Sequence, residues 1–183
     1  MDAPVLSSPL DAVDRGVTVM VGGDLAVFDR LKPMLDAFAD QVIYAGGLGC
    51  ASACKIIHNM ASIAAQQVVA EALTLGLKAG VELPVLLDAG HRSVVGSMRS
   101  RLARTVFKGV FEPPIFTLDL ARKDIGLATD LARQNDVPMP VANVVEQIMM
   151  QAMNRGWSEK DRTIAVQLQE EISGVKIRTT EEA

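Results

Sequence analysis

Gly46-Gly47-Leu48-Gly49-Cys50-Ala51-Ser52-Ala53-Cys54-Lys55-Ile56-Ile57-His58-Asn59 is a glycine-rich turn feeding a long apolar helix. The run continues to residue 80, dense in small residues such as Ala61, Ser62, Ala70 and Ala72, with Lys55, Glu71 and Lys78 as its few charges. A helix apolar on nearly all sides is a central, buried one, and Gly80 supplies a residue to end it. Packing alone does not explain a lysine inside such a run. Asn59, four residues on, shares its helical face. A cation and an amide projecting together from a rigid helix can hold a small oxygenated substrate. An ordinary surface lysine in a first turn is the plainer alternative.

Upstream, residues 2–8 read as a short extended segment, with Pro4 tolerated at an edge. Val17-Thr18-Val19-Met20-Val21, bounded by glycines, reads as a buried strand. Asp24 caps a helix over 24–39, with Phe28, Leu31, Leu35 and Phe38 at helical spacing. Pro33 predicts a break in it. Gln41-Val42-Ile43-Tyr44 is another short strand. Downstream, a helix starts over 84–89, a polar stretch covers 90–100, and helical periodicity returns over 117–135 and 138–155. A last helix is expected over 161–173, and the charged tail from Glu170 onward is expected to fray. The expected fold is mainly α. Residues 1–45 are a strand–helix remnant of an α/β sheet, and residues 46–183 form an all-helical domain around the long helix.

Composition narrows the partners. The chain has 183 residues, 49% of them apolar but only 4% aromatic. Its core must therefore come from Ala, Leu, Val, Ile and the nine methionines, which favours packed helices. A net charge of -4 argues against a nucleic-acid surface. Cys50 and Cys54 suit neither a disulfide framework nor a zinc site, so they read as small buried hydrophobes in the reducing cytoplasm, and no metal is expected. No secretory leader pattern opens the chain, and the absence of a continuous apolar run of about 18 residues argues against a membrane span. His58 reads as a packing or interface residue and His91 as solvated. Arg92, Arg99, Arg101 and Arg104 could bind an anion or form a solvated face.

Five segments together resemble the β-hydroxyacid dehydrogenase family, which includes 3-hydroxyisobutyrate dehydrogenase and tartronate semialdehyde reductase. They are Asp2-Ala3-Pro4-Val5, Met20 to Asp24, Gly47-Leu48-Gly49 leading to Lys55 and Asn59, Glu71 to Gly80, and Phe116 followed by Leu120-Ala121-Arg122-Lys123-Asp124. Any one is weak; five in register are fairly specific for the family, though not for a substrate. Two departures stand out. Leu6-Ser7-Ser8 occupies the place of the family's Ser-Gly-Gly, so Ser7 and Ser8 hydroxyls would replace close-approaching glycine amides. His58 stands where the family often has an asparagine. The G-x-G-x-x-G fingerprint of a Rossmann domain does not occur. The sequence therefore reads as the last strands of that domain plus the complete helical part, a truncated form.

The resemblance implies hydride transfer between NAD or NADP and a small 3-hydroxy acid carrying a carboxylate. It implies Lys55 as the proton-transfer group, and Asn59, Ser7 and Ser8 as substrate contacts. Lys123 and Gly49 would lie on the cofactor side. A homodimer is expected, because the central helix is apolar on too many faces for a monomer. Alone, the chain is expected to be inactive without a dinucleotide domain. The alternative is a non-catalytic helical assembly module from a truncated dehydrogenase gene.

Overall fold

The computed structural model describes residues 1–7 and 16–178. The β-branched run becomes β1 (Thr18–Gly22), which is almost wholly buried. It pairs in parallel with β2 (Gln41–Gly46), and α1 (Leu25–Asp36) connects the two. Asp24 caps α1 as expected, accepting from the Val27 amide at 3.0 Å. Pro33 does not break α1, contrary to expectation. Proline removes one N–H from the ladder, and here both Pro33 and Asp29, whose carbonyl loses its donor, lie on the exposed face where water can serve. The N-terminal segment runs antiparallel along the other edge of β1, through bridges at Asp2–Gly22 and Val5–Val19.

The central helix α2 spans Cys50–Lys78. Gly49, at φ 91°, sets the turn before it. At its far end Gly80 N–H bonds Leu77 O and Val81 N–H bonds Gly76 O, a Schellman motif. Around α2 pack α3 (Leu83–Ala89), α4 (Val94–Arg104), α5 (Leu118–Gln134), α6 (Pro140–Met153), a 3-10 turn (Arg162–Ala165) and α7 (Val166–Ser173). Helix α2 contacts α3 through α7 and both strands. By length and composition α2 could cross a membrane. It is nevertheless a core helix, with Gln66, Gln67 and Thr74 buried among its neighbours. One hydrophobic cluster, centred on Ile63, Leu73, Leu102, Ile125 and Met149, unites the helices. A second, of Val19, Val21, Phe28 and Leu35, lies under the sheet.

Four expectations are corrected. Cys50 and Cys54 are exposed free thiols, because α2's first turns lie ahead of its buried stretch. Burial of α2 is one-sided: Ile57, Val68 and Leu75 are exposed. The polar stretch 90–100 contains most of the first two turns of α4, capped by Ser93 and anchored by Met98 and Leu102. The tail does not fray as far as residue 178: Ile177 is buried, and Arg178 pairs with the buried Glu170 at 2.5 Å. Glu170 also accepts the Ile177 amide at 2.8 Å.

Asp2 joins the sheet to α2. Its carboxylate accepts the Gly49 amide at 2.8 Å, the Ser52 amide at 2.7 Å and the Ser52 hydroxyl at 2.8 Å. Glycine at the helix N-cap has no side chain to satisfy these donors, so a residue distant in sequence acts as the cap and complements the helix dipole. The approach is close: a Cβ at Gly22 would lie 2.4 Å from Asp2 Oδ1 and 2.8 Å from Gly47 O. The Gly49 amide, and after it the Ser52 hydroxyl and amide, hold the Asp2 carboxyl below its ordinary value of 3.8. A depressed folded-state value means that this contribution is full above 3.8 and is lost as pH falls through the folded value. Protection of the Gly49 and Ser52 amides against hydrogen exchange should therefore drop in acid before the rest of α2 does. Asp2→Asn should lower that protection at neutral pH; unchanged protection in this variant would refute the clamp.

Candidate active site

Positions 55, 58, 59 and 62 recur at helical spacing, and all four side chains line one cavity of about 180 Å³. Its other walls come from the N-terminal segment (Val5, Leu6, Ser7), α4 (Arg101) and the loop at Ile115 and Phe116. Arg162, at the start of the 3-10 turn, completes it. Lys55 is half-buried and His58 exposed.

The side chains are fixed by neighbours. One amide N–H of Asn59 goes to Asp124 Oδ2 at 2.7 Å. Asp124 is buried on α5, and its other oxygen meets Lys123 Nζ at 3.3 Å. This chain of contacts leaves Asn59 an amide hydrogen and a carbonyl for a ligand. Lys123 is exposed and lies outside the cavity lining, joined to it only through Asp124.

The loop carrying Ile115 and Phe116 is held by the buried Asp161. Its Oδ2 accepts their amides at 3.1 and 3.4 Å, and its Oδ1 accepts the Thr163 amide and hydroxyl at 3.0 and 2.8 Å. Arg162 N–H closes the junction on Phe116 O at 2.8 Å. The Arg162 side chain is 1% exposed, and its Nη2 donates to Ser62 Oγ at 3.2 Å. Burial, then the nearby Arg101 charge, push its value down to about 9, opposed by Asp161 and Asp124. It remains a cation at neutral pH.

Of the residues expected at the site, Lys55, Asn59 and Ser7 come together. Ser7 does so in an altered role. Its hydroxyl proton goes to Gly16 O at 2.6 Å while its oxygen accepts the Thr18 amide at 2.9 Å, so it braces the segment. Ser8 lies outside the described residues. Gly49 is outside the cavity, with its N–H committed to Asp2. Arg162 was not anticipated: nothing in Lys160-Asp161-Arg162-Thr163 distinguishes a buried guanidinium from an exposed one. In the sequence Arg101 is one member of a basic run, indistinguishable from Arg99 and Arg104.

The family model described as NAD-binding of NADP-dependent 3-hydroxyisobutyrate dehydrogenase matches residues 49–169. The model of the NAD binding domain of 6-phosphogluconate dehydrogenase matches residues 1–46. Among curated relatives, 2-(hydroxymethyl)glutarate dehydrogenase of Eubacterium barkeri is 28% identical over 97% of this chain and 59% of its own length. L-threonate dehydrogenase of Escherichia coli K12 is 32% identical over 92% and 56%. A solved structure of 3-hydroxyisobutyrate dehydrogenase from Mycobacterium tuberculosis with L-serine aligns with a TM-score of 0.78 at 25% identity, covering 91% of this chain and 60% of that one. The chain thus spans somewhat over half the length of these relatives. Two nicotinamide-nucleotide family models in tandem, over a helical fold that carries Lys55 and Asn59 on one cavity, lead to one conclusion: the chain belongs to the β-hydroxyacid dehydrogenase family, whose cofactor is NAD or NADP.

Proposed function

We propose that the chain is the substrate-binding and proton-transfer half of an NAD(P)-dependent 3-hydroxy-acid dehydrogenase. The observation that carries the reading is the shared cavity of Lys55 and Asn59, with Asn59 held by Asp124 at 2.7 Å. Oxidation of the hydroxy acid moves two hydrogens. The carbon-bound hydrogen leaves as hydride, which the nicotinamide accepts when bound. The hydroxyl proton goes to Lys55 Nζ, which returns it in the reverse direction. Asn59 hydrogen-bonds the substrate oxygens and fixes their distance from Lys55. The described residues fit the cofactor at its reacting end only: Lys123 is exposed beside the Asn59–Asp124 pair, whereas no G-x-G-x-x-G turn occurs in the sequence. We assign Lys123 to the nicotinamide side and divide the chain near residue 46.

Joined to a dinucleotide-binding segment with the glycine fingerprint, the chain should turn over a 3-hydroxy acid. Lys55→Ala should then lower kcat by about 10²–10⁴-fold with a smaller effect on KM. Unchanged kcat would sink the assignment. Alone, the chain should bind NADH and NADPH weakly, and micromolar affinity by calorimetry would contradict this.

Assembly is the second part of the proposal. Ile57, Val68 and Leu75 are exposed on α2, with Leu75 71% accessible. Their separations, 11 and 7 residues, are close to three and two helical turns, so they form one stripe. A homodimer through α2 would cover it. This stripe also supports the alternative of a non-catalytic assembly module; the two readings share the dimer and part over the cavity. Exposed free thiols at Cys50 and Cys54 suit the reducing cytoplasm, where we place the protein. Sedimentation should give a dimer that Val68→Asp with Leu75→Asp converts to monomer; a wild-type monomer would exclude this interface.

A further inference from the structure

Cys50 and Cys54 are the two cysteines of the chain, and both are exposed, free thiols on the first turns of α2. Their i, i+4 spacing sets them one above the other on a single face. Neither lines the cavity, so the chemistry proposed for Lys55 and Asn59 leaves both unused. Exposure removes the ordinary role of a cysteine as a small core residue. Gly46, at the end of β2, leaves room for the first of them: a Cβ there would lie 3.4 Å from Cys50 Sγ.

The helix decides what such a pair can hold. Cβ atoms four residues apart on a helix are about 5–6 Å from each other, whereas a disulfide needs them at about 3.8 Å. Closing that gap would distort the turn that carries both residues. Asp2 resists the distortion. Its carboxylate holds the Gly49 amide at 2.8 Å, just ahead of Cys50, and the Ser52 amide at 2.7 Å, midway between the thiols. A single atom bonded to both sulfurs spans the gap with the turn intact. Zinc wants four ligands, and among the described residues no three His, Cys, Asp or Glu side chains gather to hold an ion. His58, the next residue along this ridge, stands about 12 Å up the axis from Cys50 and lines the cavity instead. The partner that two thiolates satisfy by themselves is a soft, monovalent ion, for which thiolate is the preferred ligand.

We infer that Cys50 and Cys54 form a two-thiolate site for a soft monovalent ion of the Cu(I) class. Each sulfur gives up its proton as it binds, so two protons leave per ion and no electron is transferred. The pinned turn holds the sulfurs in place beforehand, so the second bond forms at little further entropic cost. The site stands apart from the dehydrogenase reading and is tested independently of it.

The test is an anaerobic titration of the 183-residue chain with Cu(I), supplied as its acetonitrile complex in competition with the chromophoric chelator ferrozine. Native mass spectrometry should show one ion per chain, and circular dichroism should show the helices unchanged on loading. Cys50→Ser and Cys54→Ser should each weaken binding by about a hundredfold or more, the loss expected when a chelate becomes a single bond. The double variant should not compete with ferrozine. Both side chains are exposed, so these variants keep the fold. Single variants that bind as tightly as the parent chain would overturn the site. One ion shared between two chains would overturn it as well, because the sulfurs would then be bridging copies. Glutathione disulfide tests the geometry separately. A disulfide between Cys50 and Cys54 that forms with helicity unchanged would show that the sulfurs meet without an ion, and would also refute the inference.

Discussion

The carboxylate of Asp2 lies across the first turn of α2, and much of the molecule depends on that contact. A helix turns about 100° per residue, so the point where it begins sets the direction of every side chain along it. Asp2 satisfies donors at Gly49 and Ser52, fixing the start of α2 against β1. Lys55 follows within one turn and Asn59 within two. Their shared direction into the cavity is a consequence of where the helix is pinned. The same N-terminal segment goes on to supply Val5, Leu6 and Ser7 to the cavity wall. One short stretch of chain therefore both caps the helix and lines the pocket that the helix serves.

The opposite wall depends on a second buried acid. Asp161 gathers four donors from two stretches of chain and places Ile115, Phe116 and Arg162 around the pocket. The polar parts of the site thus sit on a helix and on a loop that is hydrogen-bonded at both strands of a narrow junction. Such pre-organisation leaves little rearrangement for a ligand to drive.

What the sequence revealed follows from what is local. The glycine turn, the small-residue helix and the i, i+4 pair of Lys55 and Asn59 are local patterns, and each was readable. Helix α4 was harder, because it buries little beyond Met98 and Leu102 and shows mostly Ser, Arg and Gly to a reader of composition. The buried state of Arg162 was not readable, since it depends on α2 and the Phe116 loop closing over a residue that follows an aspartate. The exposed cysteines have the same cause: an apolar segment does not show which of its sides is buried, and α2 buries one side and presents another. Ser7 was readable as a site residue but not as a brace, because its partners lie at Gly16 and Thr18.

Glu170 is neutralised from the far side of the helix end, by Arg178 and the Ile177 amide. Ile177 and Arg178 act as a latch on α7. Shortening the polypeptide ahead of Arg178 would strand a desolvated carboxylate inside the packed helices. A recombinant boundary or a purification tag therefore belongs beyond that residue, although the charged composition of the tail suggests that it can be trimmed freely.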